Sequence, residues 1–189
     1  QDTFYLSAPI GEGKERKEVL RTHTSPVQVR YLERHGAPAK IIVPGKVFRN
    51  EATDATHEAQ FFQLEGLWVG EGISLAHLKG TLAHFFERFF GAPIELRLRP
   101  SFFPFVEPGL EVAVKIAGDP TTNKLAGRWL ELMGAGMVHP NVLRNAGIDP
   151  KKYQGFAFGM GVDRLAILKY GIDDVRLLYN GDLRVVNQF

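Results

Sequence analysis

A chain of 189 residues, 44% hydrophobic and 23% charged, has the makeup of an ordinary globular protein and the length to bury one full core. It holds no apolar run near the roughly 20 residues that cross a bilayer and no secretory signal pattern, so no membrane association is expected. The absence of cysteine excludes a disulfide framework and a thiolate metal site and is compatible with a cytoplasmic setting, while a net charge of +2 is too small to mark a nucleic-acid binder.

In chain order, residues 3–6 are predicted to form a short strand. Residues 7–19, polar and glycine-bearing, are predicted as a surface loop that includes the basic run 14–17. The chain opens at Gln1 rather than at a methionine and reads as a piece of something longer. Ser25 before Pro26, with Gly36 at the far end, signals a helix over 27–35 capped by Ser25. A hydroxyl there can also face a ligand, because the first turn of a helix presents unpaired N–H groups. Residues 39–43 are predicted as a strand and Pro44-Gly45 as a turn.

Two alternating runs, 47–51 and 60–68, flank the polar stretch 52–59, the pattern of an antiparallel hairpin with a long connection. Side chains alternate along a strand, so Arg49 and Glu51 share a face, as do Phe61, Gln63 and Glu65. Phe48, Phe62, Leu64 and Trp68 take the opposite face, which is expected to be the buried one. Helical spacing over 74–90, with Ser74 to cap and Gly91 to stop it, predicts a core helix whose His77 and His84 carry no functional weight. Residues 95–99 and 102–107 read as one strand interrupted at Pro104, with Phe103, Phe105 and Glu107 on one face. Strands over 110–116 and 129–132 follow, the second with Trp129 and Glu131 on one side, and 117–127 is a loop. Residues 134–140 are expected to connect to a short helix near 141–146.

The stretch 155–165 is the most informative after the hairpin. As a strand it points Phe156, Phe158 and Met160 one way and Ala157, Gly159 and Gly161 the other. Glycine weakens a strand, so a face stripped to hydrogen and methyl groups implies that something comes close to the backbone. A helix over 162–170 follows, ended by Gly171. Arg164 lies in its first turn, where the helix dipole is already positive, and a bound anion would account for it.

Together these faces offer two arginines (Arg49, Arg164), carboxylates (Glu51, Glu65, Glu107, Glu131), rings (Phe61, Phe103, Phe105) and a glycine floor. Arginine grips phosphate oxygens in a bidentate fork, carboxylates hold Mg²⁺ or a substrate ammonium, and a ring opposite an arginine makes a slot for a purine. The expected ligands are a nucleotide with its phosphates and metal and a small amino-bearing molecule. Neither GxxxxGK[ST] nor GxGxxG is present. Taken singly, each group has a bland alternative: a surface ion pair, a core ring, a bulge glycine. All of them nonetheless fall on the same phase of their strands.

At these residues a family resemblance is plain. Phe48-Arg49-Asn50-Glu51 with His57 and Phe61 resembles motif 2 of class II aminoacyl-tRNA synthetases, and Gly159-Met160-Gly161-Val162-Asp163-Arg164 resembles their motif 3. Residues 21–26, 53–58, 63–66, 103–108, 134–140 and 155–161 are similar to the bacterial phenylalanyl-tRNA synthetase α-subunit family, and the likeness covers essentially the whole chain. The resemblance implies an α+β class II catalytic fold, a mainly antiparallel sheet flanked by helices, forming a single catalytic domain over 1–189 without motif 1 or the N-terminal coiled coil.

It also implies ATP as substrate and Mg²⁺ as cofactor, with Arg49, Glu51 and Arg164 as catalytic residues. Arg49 would grip the α-phosphate and Arg164 the γ-phosphate. Phe61 and Arg164 would sandwich the adenine, with Glu51, His57, Glu131, Gly159 and Gly161 completing the nucleotide site and Glu107 binding the metal. His23, Ser25, Gln63 and Glu65, with Tyr5, would hold the polar end of L-phenylalanine. Phe103, Phe105, Val106 and Ala157 would enclose its ring. The implied partners are tRNA(Phe) and a β subunit, as a heterotetramer. Two alternatives stand beside this reading. A paralogue that adenylates an amino acid without charging tRNA would show pyrophosphate exchange without acylation, and a catalytically silent binding module would bind neither ATP nor phenylalanine.

Overall fold

Glycine stops and apolar spacing fix most elements of the computed structural model, which describes residues 2–6, 18–121 and 123–188. The surface loop expected over 7–19 lies outside these residues except at its end, and so does the basic run 14–17. Of the strand expected over 3–6, one antiparallel bridge forms, Tyr5 to Val19, with Leu6 N donating to Glu18 O at 2.9 Å and Leu20 N to Phe4 O at 3.0 Å.

Helix α1 spans Ser25–His35 and ends at Gly36 with φ 70°. Strand β1, Ala39–Phe48, runs straight through Pro44 and Gly45, where a turn was expected. Proline is tolerated because β1 is an edge strand of the sheet, where a missing N–H need cost no ladder bond. Strand β2 is Gln60–Gly70. Helix α2, Leu75–Phe90, stacks Leu78, Leu82 and Phe86 at i, i+4 and i+8, all fully buried, and stops at Gly91 in the left-handed region. Its His77 helps to cap the helix, since Ser74 N donates to His77 Nδ1 at 3.2 Å and a donor at the helix start is thereby satisfied.

Strands β3 (Ile94–Pro100) and β4 (Val106–Ile116) are separated by residues 101–105, which leave the sheet, so the single interrupted strand expected over 95–107 is corrected. Strand β5 is Trp129–Val138, absorbing most of the stretch expected as a connector. The reason is that Gly134 and Gly136 serve close packing here and not a turn. Helix α3 (Pro140–Asn145), strand β6 (Gln154–Gly161), helix α4 (Val162–Tyr170), a 3-10 turn (Val175–Leu178) and helix α5 (Leu183–Val186) complete the chain.

The six strands follow the order β1-β2-β6-β5-β4-β3, and the pairs β3/β4, β4/β5 and β5/β6 are antiparallel. The chain divides into two compact units. The first comprises Gln1–Thr24, Pro44–Gln63 and Gly161–Phe189, and the second Ser25–Val43 and Leu64–Met160. In the second unit Leu32, Leu67, Val69, Val138, Leu143 and Ile148 form one buried cluster under α1 and α3. Among the described residues no helix is long and apolar enough to cross a membrane.

The expected burial of the hairpin is reversed along β2. Gln63, Glu65, Leu67 and Val69 are its buried face, whereas Phe62 is 44% exposed. Two polar residues go inward because they continue the apolar row Leu67 and Val69, and because Glu65 finds donors there.

Candidate active site

In the first unit, the backbone just past β1 is tied across the base of the 50–59 loop by Arg49 N donating to Ala59 O at 2.9 Å. The Arg49 guanidinium lies 5.0 Å from the centroid of the Phe61 ring, a direct cation–π contact between the two side chains. His23 is half-buried in this unit. Burial first, and the Arg49 charge second, hold its imidazole below the ordinary histidine range, so it is neutral at pH 7. Glu51 is half-buried just beyond Arg49, and Tyr5 is 61% exposed.

The loop itself is folded by Asp54. Its Oδ1 accepts from Thr56 N at 2.7 Å, His57 N at 2.8 Å and Thr56 Oγ1 at 2.9 Å, with His57 Nδ1 at 3.1 Å. These bonds, led by those from Thr56, hold its carboxyl well below the usual carboxylate range and orient the exposed His57 ring. Val175 N, from the 3-10 turn, donates to Ala55 O at 2.9 Å.

Helix α4 starts from Gly161 with no side-chain cap. A Cβ at Gly161 would meet nothing closer than Arg164 Cβ at 3.6 Å, so the backbone there is open to close approach. Arg164 shares its first turn with Asp163, whose buried carboxylate accepts from Phe62 N at 2.6 Å and from the Tyr179 hydroxyl. The anion expected from the dipole argument is thus supplied, for helix stability, by the neighbouring residue. In the sequence only Arg164 stood out, and Asp163 was overlooked.

In the second unit, Ser25 opens α1 as its first residue instead of capping it from outside, and its hydroxyl donates to Glu65 Oε1 at 2.9 Å. Gln28 Nε2 donates to Glu65 Oε2 at 2.5 Å. A carboxylate that is 4% exposed is kept inside by these charge-assisted bonds. Two residues earlier along β2, the buried Gln63 Oε1 has no hydrogen-bond partner.

Residues 101–105 fold back over β5. Ser101 N donates to Gly109 O at 2.9 Å, and His139 N to Phe105 O at 3.0 Å. The Phe103 and Phe105 rings stack with centroids 6.3 Å apart, and Phe105 is 38% exposed. Val106, by contrast, is buried in the core. The register brings Gly134 opposite Gly159 and Gly136 opposite Ala157, so the side-chain-poor floor read from β6 extends onto a second strand. A Cβ on Gly134 would lie 2.9 Å from Phe103 Cζ, and one on Gly136 would lie 2.4 Å from Pro108 O.

The Glu107 carboxylate is exposed, 3.2 Å from His139 Nε2. Among the described residues no three histidine, cysteine or acidic side chains gather as a metal cage. A lone outward carboxylate suits Mg²⁺, which takes one or two carboxylates and completes its shell from water and phosphate oxygens. Glu131 is exposed and shares Arg99 with Glu111, at 3.3 and 3.0 Å.

The model of tRNA synthetases class II core domain (F) matches residues 1–189. The chain belongs to this family. It is 56% identical over 190 residues to the phenylalanine--tRNA ligase alpha subunit of Dehalococcoides mccartyi (strain CBDB1), covering 99% of this chain and 55% of that protein. To the subunit of the same name from Bacillus subtilis (strain 168) it is 53% identical over 194 residues, covering 100% of this chain and 54% of that protein. The chain thus spans about half the length of the curated relatives it matches. Among solved structures, pyrrolysyl-tRNA synthetase from Desulfitobacterium hafniense superimposes with a TM-score of 0.63 over 95% of this chain and 57% of that chain. At 22% identity this match bears on the fold alone.

Within this class II core, Arg49 and Phe61 meet in the first unit, and Ser25 and Glu65 meet in the second. Gln28, Arg99, Glu111, Asp163 and Tyr179 were overlooked as partners of the predicted residues. Gln28 had a readable signal, because it lies one helical turn after Ser25 and shares its face.

Proposed function

We propose that this chain is the catalytic part of a cytoplasmic phenylalanine–tRNA ligase α subunit, working as one catalytic domain over 1–189 and completed by a β subunit. It activates L-phenylalanine with ATP and passes the acyl group to tRNA(Phe). The identity of 53–56% to phenylalanine--tRNA ligase alpha subunits supports this reading. One observation carries it furthest: buried Glu65 and the unpartnered carbonyl of Gln63 lie on one strand face, and an anion beside an empty acceptor is what a substrate ammonium requires.

In this reading Glu65, Gln63, Ser25 and His23 receive the amino-acid head group, with Tyr5 beside them. A neutral His23 can accept from the ammonium without repelling it. Phe103, Phe105, Val106 and Ala157 enclose the phenyl ring, and apolar walls give the hydroxyl of tyrosine no partner. Arg49 and Arg164 hold the α- and γ-phosphates, Phe61 and Arg164 flank the adenine, and Glu51, His57, Glu131, Gly159 and Gly161 line the nucleotide. Mg²⁺, held by Glu107 with phosphate oxygens, would neutralise charge on the triphosphate.

The carboxylate oxygen of phenylalanine attacks the α-phosphorus in line. The new oxygen–phosphorus bond forms as the bond to the bridging oxygen breaks, and pyrophosphate leaves. A ribose hydroxyl of the terminal tRNA adenosine then attacks the acyl carbon, and AMP departs. No side chain becomes covalently bound. The protein contributes by positioning the reactants and neutralising charge through Arg49 and Arg164. Phenylalanine-dependent ATP–pyrophosphate exchange, measured for the α/β enzyme and for this chain alone, tests the assignment. Arg49→Ala is expected to abolish exchange, and exchange unchanged in that variant would remove the mechanism.

A further inference from the structure

Three elements of the first unit converge on the carboxylate of Asp163. Phe62 N, from β2, donates to its Oδ2 at 2.6 Å. The Tyr179 hydroxyl, from just beyond the 3-10 turn, donates to its Oδ1. Asp163 itself sits in the first turn of α4 and is 9% exposed. The 3-10 turn is stiffened by Asp174, which accepts from Arg176 N at 2.9 Å, and it reaches the 50–59 loop through Val175 N to Ala55 O at 2.9 Å.

The neighbours in sequence give this junction its meaning. Fixing the N–H of Phe62 fixes the peptide plane that follows Phe61, and with it the direction from which the Phe61 ring leaves the backbone. Fixing Asp163 fixes the start of α4, from which Arg164 departs one residue later. A carboxylate free to rotate would hold neither. The Tyr179 hydroxyl occupies the second oxygen and locks the rotamer, and burial together with this bond raises the phenol above its ordinary range.

We propose that Asp163, clamped by Tyr179, is the positioning residue that sets Phe61 and Arg164 for the nucleotide, so that the segment 174–179 tunes ATP binding without touching ATP. This rests on the ATP-dependent activation argued above. Tyr179 carries no charge and lies in a segment to which no role was assigned.

The test uses the α/β enzyme, with separate KM values for ATP and phenylalanine in pyrophosphate exchange, ATP affinity by calorimetry, and Tm. Tyr179→Phe deletes only the hydroxyl. The loss of a charge-assisted hydrogen bond predicts a rise of about tenfold in the KM and Kd for ATP, with the KM for phenylalanine within about twofold. Asp163→Ala should raise the ATP terms further, and adding Tyr179→Phe to it should change them by less than Tyr179→Phe does alone, because only the contact of the Tyr179 oxygen with Phe62 N then remains. Asp163→Asn can still accept from Phe62 N while its amide donates to the Tyr179 oxygen, so it should recover most of the loss. Unchanged ATP terms in Tyr179→Phe, or ATP and phenylalanine terms that rise together with a lowered Tm, would overturn the positioning role while leaving the function standing. An unaltered enzyme that neither binds ATP nor exchanges pyrophosphate would overturn both.

Discussion

Two glycines on one strand, two residues apart, should respond very differently to the same added methyl group. A Cβ on Gly136 would lie 2.4 Å from the carbonyl oxygen of Pro108 and 2.8 Å from Val106 Cβ. Carbon and carbonyl oxygen need about 3.3 Å, so the overlap is about 0.9 Å against backbone in the β4 irregularity, which is pinned on either side by the pairs Val106 with Val138 and Gly109 with Gly136. Neither neighbour has a rotamer to escape into. A Cβ on Gly134 would meet Phe103 Cζ at 2.9 Å, about 0.6 Å inside the comfortable carbon–carbon distance, but the obstacle there is the tip of a half-buried ring that can swing. Gly136→Ala is therefore expected to cost about 1–3 kcal/mol, the usual range for overpacking, and to lower Tm by roughly 2–4 °C for each kcal/mol. Gly134→Ala should cost less than about 1 kcal/mol. Its effect should fall on the ring it displaces, as a raised KM for phenylalanine with the KM for ATP unchanged. Urea unfolding of both variants and exchange kinetics of the second decide the matter. Equal destabilisation by the two, or a tighter phenylalanine site in Gly134→Ala, would refute the reasoning.

Other positions give sharper tests of single terms. Gly80 lies inside α2 with open space where a Cβ would go, so Gly80→Ala should stabilise by roughly 0.5–1 kcal/mol in urea titration. Gln28→Leu removes a donor from a buried carboxylate and is expected to cost about 1.5–3 kcal/mol, with a weaker phenylalanine site in exchange assays. His23 binds a proton less readily in the folded chain than when unfolded. Its contribution is therefore complete above the unfolded value of about 6.5 and is lost as pH falls through and below it. The urea midpoint should drop between pH 7.5 and pH 5.5 by more in the unaltered chain than in His23→Asn, and equal drops would exclude His23 as the source.

Which parts of this fold could be read in the sequence follows a physical rule. The ends of α1, α2 and α4 were legible because Gly36, Gly91 and Gly171 each adopt a left-handed φ, a requirement that glycine declares by itself. Gly134 and Gly136 declared nothing so clear. Glycine serves both a turn and a close approach, and only the presence of Phe103 and Pro108 over β5 separates the two. Pro44-Gly45 misled in the same way, since at a sheet edge the pair costs a strand little.

Single residues of unusual chemistry, such as Arg49 and Phe61, drew the eye in the sequence, although their direct contact did not. The site was illegible where a role depends on a distant donor. Glu65 was placed on the face opposite the one expected to be buried, because nothing near it in sequence reveals that Ser25, 40 residues away, and Gln28, 37 residues away, neutralise the cost of burying it. Asp163 is the more instructive case. Beside Arg164 it passes for the other half of a local charge pattern, yet its bonds run 101 residues back to Phe62 and 16 forward to Tyr179. Each of its oxygens meets a donor from another part of the chain, so its role is set by residues that the local sequence does not show. In this unit, then, the acid beside Arg164 joins the start of α4 to a strand and to a tyrosine, a role that no local charge pattern declares.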